Sequence, residues 1–201
     1  MSPRERKSST VHLTRIYTRT GDDGTTALGD MSRATKSSPR VVAYGDVDET
    51  NSSIGVALAL GELDAELTGL LTAIQNDLFD VGADLCTPIE PNPKWEPLRI
   101  DQSYVDRLEA ACDEFNDRLS ALDSFILPAG TPGAALLHVA RTVARRAERA
   151  VWVLIAEEAD STNLLAATYL NRLSDLLFIL ARVANLATGD VKWQPAANRN
   201  A

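Results

Sequence analysis

Apolar residues recur along most of this chain at the three- and four-residue spacing of amphipathic helices, interrupted by proline, glycine and capping residues. The pattern predicts five helices. Asp46 is placed to cap the first at Val47, with Glu49 completing a capping box and Gly61 at its end. Asp64 opens the second, which carries Leu67, Leu70, Leu71, Ile74, Leu78 and Val81 at helical spacing. Asp101 opens the third, with Tyr104, Leu108, Ala111, Phe115 and Leu119 on one face. Thr131 followed by Pro132 is an N-cap with proline at the first helical position, and the fourth helix runs to about Glu158. The fifth starts near Ser161 and ends at Gly189.

The remaining segments read as connections. Pro88, Pro91, Pro93 and Pro97 make 87–100 irregular, and Phe125 to Leu127 is a short extended link. From Thr14 to Asp30, a short β-branched stretch (Ile16 to Thr18) gives way to turns at Gly21, Gly24 and Gly29, rich in backbone N–H and hydroxyl donors. Residues 1–13 read as a disordered tail and 191–201 as a flexible one that carries Trp193, leaving a single helical domain over 14–190. The fold class is therefore all-α: a five-helix bundle with an irregular N-terminal loop.

Composition narrows the function. With 28 acidic against 20 basic residues the net charge is −8, which disfavours binding to nucleic acid. The longest apolar runs, Ala150 to Ala156 and Leu176 to Ala181, fall well short of the ~18 residues a bilayer requires, so no membrane partner is expected. Cys86 and Cys112 have no C-x-x-C spacing and read as reduced thiols of a cytoplasmic protein. His12 and His138 are the only histidines, too few for a histidine zinc site.

Against that acidic background, Arg141, Arg145, Arg146, Glu148 and Arg149 give the fourth helix a local charge of +3. Arg141, Arg145 and Glu148 fall within roughly a 60° arc, beside the apolar seam of Leu137, Ala140, Ala144, Ala147 and Val151. Two readings stand: a solvated face held by helical ion pairs, or a phosphate site built on guanidinium forks. In the fifth helix, Asn171, Ser174 and Phe178 share a face, with Asp175 one turn beyond Asn171; this cluster either fixes packing or orients a nucleotide. The loop from Thr18 to Thr26 can wrap phosphates but lacks the Gly-Lys-Ser/Thr of a Walker loop. Asp22/Asp23 and Asp46/Asp48/Glu49 are paired acids that suggest Mg²⁺, although capping accounts for two of the second set.

Taken in order, the segments Thr18-Arg-Thr-Gly-Asp-Asp-Gly24, Lys36-Ser-Ser-Pro-Arg40, Tyr44-Gly-Asp-Val-Asp-Glu-Thr-Asn51, Phe125-Ile-Leu-Pro-Ala-Gly130, Arg141-Thr-Val-Ala-Arg-Arg-Ala-Glu148 and Asn171-Arg-Leu-Ser-Asp175 resemble the PduO-type ATP:cob(I)alamin adenosyltransferases. The resemblance spans about residues 14 to 193. It implies a ferritin-like five-helix subunit, a homotrimer with ATP at the subunit boundary, and transfer of the 5′-deoxyadenosyl group of ATP to the cobalt of cob(I)alamin, with release of triphosphate. Thr18, Arg19, Thr20, Gly21, Thr25, Thr26 and Lys36 would line the nucleotide, and Arg145, Arg146 and Arg149 would serve its phosphates. Glu148 and Asn171 would position ATP and Mg²⁺, the metal being held mainly through the phosphates. Asp48 would pair with Arg141 across the boundary, and Phe125 would press on the corrin and displace its lower axial ligand.

Three positions depart from the family pattern: Arg19 stands where Lys is usual, Thr50 where Leu is usual, and Leu176 where an aromatic is common. An adenosylcobalamin-dependent client enzyme and a cob(II)alamin reductase are the further partners implied. The alternative function on the same fold is non-catalytic ATP sensing or adenosylcobalamin delivery.

Overall fold

The computed structural model describes residues 17–197 and 199; the expectations for residues 1–13 and for Ile16 lie outside them. The helices are α1 (Pro39–Leu60), α2 (Ala65–Cys86), α3 (Gln102–Asn116), α4 (Pro132–Glu158) and α5 (Leu165–Ala184). α1 packs on α2 and α4, α4 on α5, and α5 on α3. The buried seams are the expected ones: Leu67, Leu71, Ile74, Leu78 and Val81 from α2, and Leu137, Ala140, Ala144, Ala147 and Val151 from α4.

Capping chemistry sets most of the starts. Asp64 accepts from the Leu67 N–H, Asp101 from Ser103 and Thr131 from Ala134, each such cap contributing about 1 kcal/mol. Three boundaries differ from expectation. α1 begins at Pro39, behind Ser38, so Asp46 and Glu49 lie inside a helix rather than at its cap. Their carboxylates turn to Arg146 on α4, which gives a helix interior a use for side chains that read as a capping box. Gly61 does end α1, but in a right-handed conformation rather than the left-handed one typical of a terminal glycine. A 3₁₀ turn over Ala159–Ser161 precedes α5, which stops at Ala184 because the Asn185 N–H closes back onto Arg182 and Val183.

The N-terminal loop is not wholly irregular. β1 (Thr25–Ala27) and β2 (Arg33–Thr35) form a two-stranded antiparallel ribbon, too short for alternation to reveal.

Buried polar residues fix the ends of the bundle. Arg40, only 2% exposed, donates to Glu158 and Ser161 beyond α4 and to the Leu85 carbonyl at the end of α2. Asp84 accepts from Arg99, the Ile100 N–H and Asn163, pinning the proline-rich connection. A carboxylate with three donors can be buried at tolerable cost.

Candidate active site

The middle turns of α4 pack against α5 and bring several of the expected site residues together. Asn171 Nδ2 donates to Glu148 Oε1 over 3.2 Å, and Asn171 Oδ1 accepts from Arg172 Nη1 over 3.3 Å. Arg172 also holds Glu109 and Asp175, so the amide is oriented from both sides. The fourth and fifth helices therefore do bring Glu148 and Asn171 together, while Ser174 bonds back to the Asn171 carbonyl and stays structural.

The arginines of α4 separate into distinct roles. Arg146 pairs with Glu49 and with Asp46 on α1, and these acids raise its pKa. Arg149 donates to the Arg145 carbonyl oxygen. Arg141 and Arg145 make no ion pair among the described residues, and Arg141 Nε is buried without a partner. Burial, and then the adjacent Arg145 charge, pull the Arg141 guanidinium below its usual pKa. Two cations side by side with no counter-ion are costly unless an anion arrives. Asp48, exposed on α1, likewise makes no ion pair among the described residues.

The N-terminal loop is shaped by its own bonds. Asp23 accepts from the Thr25 N–H and hydroxyl at 2.9 and 2.7 Å, and these bonds lead the lowering of its pKa. Asp23 thus shapes the turn through Oδ1. Arg33 donates to the Thr20 carbonyl oxygen over 2.7 Å and to the Thr25 hydroxyl. A side chain at Gly21 would meet Lys36 Nζ at 3.2 Å, so the ammonium lies against bare backbone. Thr18 and Thr20 share a hydroxyl hydrogen bond, and Arg19, at positive φ, is exposed and stacks over Tyr17. Lys36 is exposed, whereas the hydroxyls of Thr18, Thr20 and Thr25 are engaged within the loop, and Arg33, which holds it, is a residue the sequence did not single out.

At another part of the surface, Phe125 is 77% exposed and meets Trp193 edge-on at 6.0 Å between ring centroids. With Leu122, Ile126, Phe178 and Pro195 they line an open cavity of about 590 Å³. An exposed aromatic pair in a concave apolar site suits a large flat ligand. The tail is not free there: Trp193 N–H donates to the Phe125 carbonyl at 2.8 Å, and Leu127 N–H to that of Val191 at 2.7 Å. Leu176 lies in the core, so its departure from the aromatic pattern does not touch this wall. His138 packs edge-on against Phe178 with both ring nitrogens buried and unpartnered; burial, then Arg141, lowers its pKa.

No helix among the described residues is long and apolar enough to cross a membrane. Also among the described residues, no three metal-ligating side chains converge.

Comparison with known proteins bears directly on this arrangement. A family described as cobalamin adenosyltransferase matches residues 16–184. A corrinoid adenosyltransferase of Mycobacterium tuberculosis strain H37Rv is 63% identical over 191 residues, covering 95% of this chain and 98% of the relative. One from Bacillus subtilis is 42% identical over 190 residues, covering 91% and 94%. Among solved structures, a phenylalanine-to-alanine variant of a PduO-type ATP:corrinoid adenosyltransferase from Lactobacillus reuteri, complexed with cobalamin and ATP, aligns with a TM-score of 0.82. It is 37% identical and covers 90% of this chain and 99% of that one. An arginine-to-lysine variant complexed with ATP aligns at 0.78 with 38% identity, covering 89% and 100%.

Proposed function

The chain belongs to the cobalamin adenosyltransferase family, and from that premise we propose how its own residues carry the reaction. It transfers the 5′-deoxyadenosyl group of ATP to the cobalt of cob(I)alamin, giving adenosylcobalamin and triphosphate. The electron pair of Co(I) forms the Co–C5′ bond while the C5′–O bond breaks and its electrons leave with triphosphate. The protein must hold C5′ in line with cobalt and stabilise the departing charge.

The observation that carries the assignment is the pair of guanidiniums without an ion-pair partner among the described residues, Arg145 one turn and Arg141 two turns from the Glu148–Asn171 bond. Arg145 is the phosphate fork, each charge-assisted bond contributing roughly 1.5–3 kcal/mol. Arg146 stays with Glu49 and Asp46, and Arg149 supports the Arg145 backbone. Asn171, oriented by Arg172, fixes the nucleoside side of the site. Thr18, Arg19, Thr20, Gly21, Thr25, Thr26 and Lys36 close on the nucleotide from the loop, whose own bonds set its shape while Lys36 stays exposed beside Gly21.

The donor set suits a Mg²⁺ carried on the ATP phosphates rather than caged by protein, since no three metal-ligating side chains converge among the described residues. When bound, that ion neutralises the leaving triphosphate.

Asp48 and Arg141, neither of which has an ion-pair partner among the described residues, support a homotrimer in which the two meet across a boundary and the partly buried guanidinium charge is compensated. Phe125 and Trp193 face the corrin, and Phe125 excludes the lower axial ligand; a water-poor site then favours reduction of Co(II) by a cob(II)alamin reductase in the cytoplasm. Product passes to an adenosylcobalamin-dependent client enzyme.

Anaerobic incubation with chemically reduced cob(I)alamin, ATP and Mg²⁺ tests the reading. Light-sensitive adenosylcobalamin and one triphosphate per corrinoid support it; ATP binding without alkylation would leave sensing or delivery instead.

A further inference from the structure

Arg182 lies outside every segment that carries the family resemblance, yet its side chain is 7% exposed and bonded through both Nε and Nη2. Its Nη2 donates to the Ser120 carbonyl at 2.8 Å, and its Nε to Asp190 Oδ2 at 2.9 Å. Ser120 begins the connection that carries Phe125; Asp190 stands three residues before Trp193. One guanidinium on α5 thus grips both chains whose main chains pair at Phe125–Leu127 and Val191–Trp193.

The rest of the anchorage is consistent. Asn185, one turn on, holds the far end of the same connection: its Oδ1 accepts from the Thr131 N–H at 2.9 Å and its Nδ2 donates to the Ala129 carbonyl at 3.0 Å. The link is fastened at both ends to the last turn of α5, whereas the tail's side-chain ties nearby are Asp190, the exposed Lys192–Asp123 pair and a 3.3 Å bond from Ser124 Oγ to the Trp193 carbonyl. The second Asp190 oxygen is buried without a partner, so the carboxylate depends on Arg182 for its charge balance. A surface pair such as Lys192–Asp123 adds little, so the Arg182–Asp190 pair is the buried ionic tie that supports the main-chain bonds of the tail at Val191 and Trp193.

We propose that Arg182 and Asp190 are positioning residues that hold Trp193 against Phe125 and so set retention of the corrinoid without acting on ATP. The inference rests on the reading that the Phe125–Trp193 cavity takes the corrinoid.

The test uses the full-length enzyme with separate KM determinations for cob(I)alamin and for ATP. Trp193 is made the sole tryptophan by Trp95→Phe and Trp152→Phe, so that acrylamide quenching reports its exposure. Asp190→Asn is expected to raise the corrinoid KM about tenfold, leave the ATP KM within about twofold, and make Trp193 more quenchable. Asp190→Glu should recover part of the loss. Arg182→Lys, which keeps the charge but cannot fork to Ser120 and Asp190 together, should give the same selective change and serves if Asp190→Asn does not fold. Equal rises in both KM values, or an unmoved corrinoid KM in a folded variant, would overturn the proposal. Phe125→Ala separates the two layers. If it also leaves the corrinoid KM unmoved, the cavity is not the corrinoid site; if it raises that KM while Asp190→Asn does not, only the positioning role falls.

Discussion

Replacing Arg145 by alanine removes one guanidinium from the surface of α4 and nothing from the core. The side chain is exposed and makes no ion pair among the described residues, whereas Arg146 beside it is tied to Glu49 and Asp46 on α1. Thermal stability should therefore change by less than about 0.5 kcal/mol, as for an unremarkable surface substitution. The loss appears when ATP is used. One charge-assisted bond of roughly 1.5–3 kcal/mol that strengthens as triphosphate departs corresponds to about a 10- to 150-fold fall in kcat/KM for ATP. Loss of the neighbouring like charge also relieves Arg141, so the variant should not unfold more readily. Steady-state kinetics with chemically reduced cob(I)alamin, alongside a melting curve, measure both. A variant with unaltered kcat/KM for ATP would remove Arg145 from the site. A melting point lowered by many degrees would show that the side chain is structural and that its solvated position has been misread.

Three further outcomes follow from other parts of the molecule. Asp48→Asn should weaken trimer assembly on analytical ultracentrifugation and lower activity with it, whereas identical sedimentation and kinetics would exclude the boundary pair with Arg141. Gly130→Ala should destabilise by about 3 kcal/mol, since φ is +112° and a methyl would collide with the Asn185 amide, breaking two buried hydrogen bonds; a melting temperature within a degree or two of the parent would contradict this. His138 is buried against Phe178 and near Arg141, with Asp190 as its opposing charge, and burial lowers its pKa. The unfolded chain then takes up the proton first, so this contribution is complete above about pH 6.5, begins to be lost below that value and is gone once pH has fallen through the lower folded-state pKa. His138→Phe should flatten the melting curve's pH dependence in that window; an unchanged slope would assign it elsewhere.

Sequence made the fold legible where capping chemistry is local. Asp64, Asp101 and Thr131 each sit at the start they were expected to mark, and Pro132–Glu158 matches its predicted span. It failed at α1 because Asp46, Glu49 and Gly61 satisfy a capping pattern by themselves, while the true start, Ser38 followed by Pro39, lies in a short polar run. The acids' partner, Arg146, is 97 residues from Glu49, which no local window connects. The ribbon of β1 and β2 has three residues per strand and leaves no periodic trace.

At the site, the order of motifs singled out Arg141, Arg145, Glu148 and Asn171. What it could not give is the division of labour among adjacent arginines, because that depends on which neighbour from another helix reaches each. Arg33, Arg182 and Asn185 were invisible for the same reason: each works mainly on backbone carbonyls or on residues distant in sequence. The pairing of Val191–Trp193 with the Phe125 link is equally non-local.

The central claim, attack of cobalt on the ribose carbon, is tested most directly with ATP carrying ¹³C at C5′. After an anaerobic turnover with cob(I)alamin, the label should be bonded to cobalt in the corrinoid, with triphosphate released intact in equal amount. Release of ADP and phosphate, or AMP and pyrophosphate, with an unlabelled corrinoid would contradict the account.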